Sequence, residues 1–193
     1  MKLKRKKTKT QDDKTATKAR PILIWGAVAV GIIGLAYLFF LNMRGPTPIT
    51  DLVRSFGQER GHDNTITYAG SLPPVGGVHN DVWQNCGIYA EPIDTEHALH
   101  SLEHGAVWIA YQPDLPKQDV ATLQDLARDE EYLLLSPYLD LASPVVLTAW
   151  EVQLRLDSVD DTRLTEFINR YQQGPTTPEK GATCSDGVGT PIQ

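Results

Sequence analysis

Asp94-Thr-Glu-His-Ala-Leu-His-Ser-Leu-Glu-His-Gly-Ala-Val-Trp-Ile-Ala-Tyr111 changes its period part-way along. The first half reads as a helix. Pro92 breaks what precedes it, Asp94 is a candidate N-cap, and Gly105 is a candidate C′ residue. At 100° per residue, His97, His100 and His104 fall within about 60° of one another. Ala98, Leu99 and Leu102 point to the other side. The second half, Ala106 to Tyr111, is a continuous apolar run that reads as a strand. A short helix with a leucine face therefore feeds straight into a buried strand.

Working outward, Asp119 to Arg128 carries Val120, Leu123 and Leu126 at helical spacing. Tyr132 to Leu135 and Val145 to Leu156 read as strands, the second alternating through VQLRL. Asp160 to Gln172 sets Leu164, Phe167, Ile168 and Tyr171 on one helical face and stops at Gly174-Pro175. Upstream, SLPPVGG (71–77) is a turn-rich loop, and Thr65 to Ala69 reads as a short strand. This order predicts an α+β domain, a mixed or antiparallel sheet with helices on one face.

The chain begins differently. Residues 1–20 hold nine Lys or Arg against Asp12 and Asp13, a net +7. Ile22 to Leu41 then runs without a charge, long enough to cross a bilayer once as a helix. It exits through Asn42-Met-Arg-Gly-Pro46, with no small-x-small cleavage site, so it reads as an uncleaved anchor. From Gly45 onward eight Lys or Arg face twenty-two Asp or Glu. The positive-inside rule leaves the basic tail in the cytoplasm and this acidic part outside. The divisions expected are a basic tail (1–20), an anchor (21–42), a spacer (43–65) with a short helix around Asp51 to Gln58, and one extracytoplasmic domain (66–193). An acidic domain argues against nucleic acid as a partner. The basic tail suits anionic lipid head groups, though setting topology is the plainer role.

The histidine face carries the chemistry. A solvated polar face is its plain explanation, but Glu, Lys or Arg would serve there equally well. Neutral imidazole is a common ligand for zinc and copper. His100 and His104, one turn apart, would reach one ion, with His79 brought over from the Gly-rich loop. His97 is an optional fourth. Glu103, rotated by about 100° from His104, is an optional ligand and better suited to orienting one. His62 falls in the spacer, outside this set. The only methionines are Met1 and Met43, which excludes a blue-copper site with axial Met and a Met-rich cuprous site. No Cys-x-x-Cys occurs. Cys86 and Cys184 leave two alternatives open: a disulfide in an oxidising compartment, or Cys86 as a thiolate ligand. His100-Ser-Leu-Glu-His104 matches the H-x-x-E-H pattern of inverted zinc peptidases, without a third acidic ligand in view. No Gly-x-Ser-x-Gly elbow accompanies Ser101, Ser136 or Ser143. The tryptophans and tyrosines read as core packing.

Pro73-Pro-Val-Gly-Gly-Val-His79, Trp83-Gln-Asn-Cys-Gly-Ile-Tyr89 and His100-Ser-Leu-Glu-His-Gly105 together resemble a family of uncharacterised bacterial membrane-anchored proteins, a domain of unknown function. The resemblance implies an anchor followed by one outer domain, and His79, His100 and His104 as the site. It implies no activity. The expected function is therefore binding, delivery or sensing of copper or zinc at the outer membrane face. A subunit docking onto a membrane protein complex is the alternative, and a zinc-dependent hydrolase the third reading.

Overall fold

The computed structural model describes residues 16–43, 45 and 47–192, the side chains of 16–23 and 42 excepted. The basic tail lies largely outside them. Two units result, divided after Pro48. The first contains one helix, α1 (Ala16–Met43). Its stretch Ile24–Leu41 is long and apolar enough to cross a membrane, and none of it is buried.

The second unit, Ile49–Gln193, holds nine elements among the described residues. They are β1 (Val53–Arg54), β2 (Gly87–Ile88), α2 (Thr95–Glu103), β3 (Val107–Tyr111), α3 (Lys117–Ala127), β4 (Leu133–Pro137), β5 (Val145–Ala149), β6 (Val152–Leu156) and α4 (Thr162–Tyr171). The six strands form one sheet in the order β1-β6-β5-β3-β4-β2. β2 and β3 flank β4 and run parallel to it, and the β3–β5, β5–β6 and β1–β6 pairs are antiparallel. The fold is α+β with a mixed sheet, as the element order predicts.

Its helices do not share one face. The chain steps from β2 across to β3 through α2, then back to β4 through α3. Crossovers between parallel strands are right-handed, so two steps in opposite directions put their helices on opposite faces. The side chains obey. Val107, Ile109, Leu133, Leu135, Val145 and Leu147 pack with α3 and α4 through Leu123, Leu164 and Phe167. The alternate residues Trp108, Ala110, Leu134 and Val146 pack with Ala98, Leu99 and Leu102 of α2. A strand buried on both sides reads as the continuous apolar run seen at 106–111.

Three further expectations are corrected. Val145 to Leu156 is a hairpin rather than one strand. It turns at Trp150-Glu151, where Glu151 adopts a φ of 64° and its carboxylate accepts from the backbone N–H of Gly57 (2.7 Å) and Gln58 (3.2 Å). No Asn-Gly or Asp-Gly pair marks that turn, because distant backbone groups stabilise it. Asp51 to Gln58 is not helical. Asp51 has a φ of 61°, and the chain after it pairs with β6 as β1. The stretch expected to be a spacer thus joins the folded unit from Ile49. Thr65 to Ala69 forms no strand, and its Tyr68 hydroxyl donates to Val78 O (2.7 Å) beside the glycine loop.

Cys86 and Cys184 form a disulfide across 98 positions. In the chain-entropy account a closure of that length stabilises by about 4–5 kcal/mol. It ties the C-terminal strap, residues 179–189, against the loop that precedes β2. Backbone hydrogen bonds repeat the tie: Cys86 N–H to Cys184 O and Asn85 N–H to Val188 O, both 2.8 Å, and Val188 N–H to Trp83 O, 2.9 Å.

Candidate metal centre

α2 ends at Glu103 because Gly105 takes a φ of 100°, which a residue with a Cβ avoids. The helix presents its polar face to the loop 79–86, which lies along it. Gln84 N–H donates to His97 O (3.0 Å) and the Ser101 hydroxyl to Gln84 O (2.7 Å). A second chain segment joins from the N-terminal side. His79 N–H donates to Gly61 O (3.0 Å) and Asp63 N–H to His79 O (2.8 Å). This single parallel bridge sets His62 beside His79.

The result is a cluster of three imidazoles and one carboxylate. His62, His79, His100 and Glu103 each offer a ligand atom, all within 4.8 Å of one another. His79, His100 and Glu103 are buried, and His62 is exposed at the mouth. The ring centroids of His79 and His100 are 4.8 Å apart, and His62 stacks on His100 at 4.9 Å.

The hydrogen bonds fix the tautomers. Nδ1 of His79 lies 2.8 Å from Gly77 O, and Nδ1 of His100 lies 2.8 Å from Asn80 O. A carbonyl oxygen only accepts, so each Nδ1 carries the proton. In the neutral rings both Nε2 lone pairs then point away from these anchors, the arrangement that metal-ligating histidines adopt. His79 Nε2 is fully buried and has no hydrogen-bond partner. The Glu103 Oε2 atom sits 3.1 Å from it, close enough for an ion pair but without hydrogen-bond geometry. With His79 neutral, two acceptors face one another in a buried place, an arrangement relieved either by a proton on Nε2, which makes an imidazolium–carboxylate pair, or by a metal ion held between the two atoms.

Glu103 is held from its other side. Arg60 Nε donates to Oε1 at 2.5 Å, and Arg60 Nη2 donates to Glu179 at 3.0 Å. Burial works to raise the Glu103 pKa, but the neighbouring His79 and Arg60 outweigh it and bring it down to about 2. It is a carboxylate at any physiological pH. Burial, with lesser repulsion from His104, His79 and His62, lowers His100 to about 4 against the help of the Asn80 carbonyl. That ring is neutral and available to a metal at neutral pH.

A pH dependence of the metal-free protein follows. A folded-state pKa of about 4 lies below the ordinary 6.5, so the unfolded chain takes up the proton first. Stability is full above pH 6.5 and falls as the pH drops towards 4, by up to about 3 kcal/mol for this group. Glu103 adds a further loss from pH 4.5 down to about 2. Denaturant melts of the metal-free chain at pH 7.5, 5.5 and 4.5 check this, and flat midpoints across that range would contradict it.

The sequence set is thus partly brought together. His79 and His100 meet, and Glu103 joins as a close partner. His104 does not. Its ring abuts His100 at 4.6 Å and its Nδ1–H donates to Thr183 O (2.6 Å) as the other two rings donate to theirs, but its Nε2 lies 3.8 Å from Glu179 and is not among the grouped ligand atoms. The i, i+4 pair is therefore split, and the H-x-x-E-H pattern does not aim both histidines at one point. His97 is turned to Val82 O (2.5 Å) and is also outside the group. Cys86, bonded to Cys184, offers no thiolate. His62, assigned to the spacer, is the residue that sequence reasoning missed. No local pattern marks His62, which only the bridge to His79 brings in; for Glu103, the i, i+3 spacing from His100 places the carboxylate on the histidine face.

The family described as "Protein of unknown function (DUF3105)" matches residues 60–186. The chain belongs to this family. The DUF3105 match begins at Arg60 and so takes in every residue of the cluster, His62 included. Comparison with curated proteins and with solved structures returns no match.

Proposed function

We propose that this DUF3105 protein is a membrane-anchored, extracytoplasmic binder of a zinc or copper(II) ion, with a role in holding and handing over the metal. The observation that carries it is the buried His79 Nε2, without a hydrogen-bond partner, facing Glu103 and the His100 ring. The donor set fits the ion. Three nitrogens and one oxygen, with no sulfur, suit Zn²⁺ and Cu²⁺. At metal–nitrogen distances of about 2.0–2.1 Å, ligand atoms lie roughly 3.4 Å apart in a tetrahedral site. The cluster, all within 4.8 Å, needs a movement of an ångström or so to close, which the exposed His62 ring can supply.

Burial of three ligands with the fourth at the mouth favours transfer over chemistry on a substrate. An ion enters past His62 and leaves when that one ligand lets go. The alternative, a subunit docking onto a membrane complex with incidental histidines, has nothing comparable in its favour. The long apolar helix following a +7 tail, and a disulfide in the acidic unit, support the anchor and the outward orientation.

Two measurements test the proposal. Full-length protein in detergent, dialysed against Zn²⁺ or Cu²⁺ and freed of excess, should retain one ion per chain, and retention of none removes the metal reading. Protease added to intact spheroplasts should digest the unit beyond Ile49, and its protection would reverse the orientation.

A further inference from the structure

The Cys86–Cys184 disulfide lies at the border of the core: Cys184 is buried in the cluster on the α2 side, and Cys86 is half-buried against it. It forms part of the wall of an open cavity of about 550 Å³, together with Tyr132, Thr183 and Ser185. Asp129, Glu130 and Glu131, all exposed, complete the rim. The same disulfide fastens two segments that each lead to the histidine cluster. On the loop side, Cys86 follows His79, and Asn80 O, which fixes His100, comes between them. On the strap side, Cys184 follows Thr183, whose carbonyl holds His104, and Glu179, which shares Arg60 with Glu103. The strap also reaches α2 directly, Glu179 N–H donating to Glu103 O at 3.0 Å.

We propose that the Cys86–Cys184 disulfide is an exchange site for a protein dithiol and that its reduction loosens the histidine cluster so that the metal ion is released. This rests on the metal reading above. Cys86 is the more exposed of the two cysteines, and its Sγ is the point of attack. A partner thiolate bonds to Cys86 Sγ, the Cys86–Cys184 bond breaks, and Cys184 leaves as a thiolate and takes a proton. The partner's second thiol, deprotonated, then attacks the partner sulfur of the mixed disulfide and expels Cys86. Two electrons and two protons pass from the dithiol to the chain, and the partner becomes the disulfide. The acidic rim selects the reductant. It repels small anionic thiols such as glutathione and favours a dithiol carried on a basic protein surface.

The test uses full-length protein in detergent. Zn²⁺ affinity is read by competition with a chromophoric chelator for the oxidised wild type and for the Cys86→Ser/Cys184→Ser variant, which mimics the open form without offering thiolates to the metal. The variant should bind at least tenfold more weakly. Amide exchange should quicken at residues 84–86 and 183–188 and stay slow at Ile109 and Leu147. If the variant does not fold, wild type reduced with a phosphine and alkylated replaces it. In the same protein, a neutral dithiol should cleave the disulfide faster than glutathione does, and added salt should narrow the gap. Equal Zn²⁺ affinity in the oxidised and opened forms overturns the release. A disulfide that yields only when the sheet amides also exchange overturns the exchange site. Absence of Zn²⁺ binding by oxidised wild type overturns the metal reading itself, and the release with it. The exchange rates are read independently of that outcome.

Discussion

Replacing His79 by alanine should weaken Zn²⁺ or Cu²⁺ binding by more than about 100-fold, since losing an outer partner of a ligand already costs 10–100-fold. The ring is fully buried, its Nδ1–H is anchored on Gly77 O, and its other nitrogen faces Glu103. Nothing else in the cluster lies in a position to replace it. The readout that separates a ligand from a packing residue is the stability gained on adding metal. A site holding free ion at about 100 times its Kd stabilises the fold by about 2.7 kcal/mol. Wild type should show that rise in melting temperature with Zn²⁺, and His79→Ala should show almost none. The metal-free variant should itself melt below metal-free wild type, because the buried ring and its hydrogen bond to Gly77 O are lost, so the role of His79 is read from the zinc-dependent rise alone. A His79→Ala protein that loses its metal-free stability but keeps the zinc-dependent rise would make His79 a structural residue.

Trp108→Ala should be the most damaging single truncation in the sheet, costing about 3–5 kcal/mol. Trp108 lies in the central strand β3, is completely buried, and packs its ring against Tyr138 at 5.6 Å. Its indole N–H donates to the buried Ser136 hydroxyl at 2.9 Å. Alanine would leave a cavity between the sheet and α2 and strand that hydroxyl without its donor. Against a total of about 5–15 kcal/mol, the loss is a large fraction of the fold's stability. Denaturant unfolding of both proteins measures it. Trp108→Phe should recover most of the packing but not the hydrogen bond, and a truncation cost below about 1 kcal/mol would mean the α2 face is not a tight core.

Much of this fold is readable in the chain because local signals agree with tertiary ones. The Asp94–Tyr111 stretch carries a period, a start and a stop, the 162–171 helix a period and a stop, and the 117–127 helix a period alone. The misses share another cause. β1 and β2 have two residues each and exist only because β6 and β4 offer them edges. The β5–β6 turn is held by the amides of Gly57 and Gln58, nearly a hundred positions away. The placing of helices on both faces follows from strand order, which no local pattern records. The site divides in the same way. His79 and His100 were legible as chemistry, whereas His62 needed the bridge to His79 to leave the presumed spacer. His104 looked equivalent to His100 on the helix, and what sets it apart is that its Nε2 lies beside Glu179 of the strap, outside the grouped ligand atoms.

That last distinction gives the most direct test. Zn²⁺ and Cu²⁺ are titrated calorimetrically into full-length wild type and into His100→Ala, His62→Ala and His104→Ala. The account predicts one ion per wild-type chain. Affinity should fall by more than about 100-fold in His100→Ala, fall clearly in His62→Ala, and stay within about tenfold of wild type in His104→Ala, where only an outer contact is lost. Wild type that binds no ion would contradict the account, and so would a His104→Ala loss as large as that of His100→Ala beside an unaffected His62→Ala.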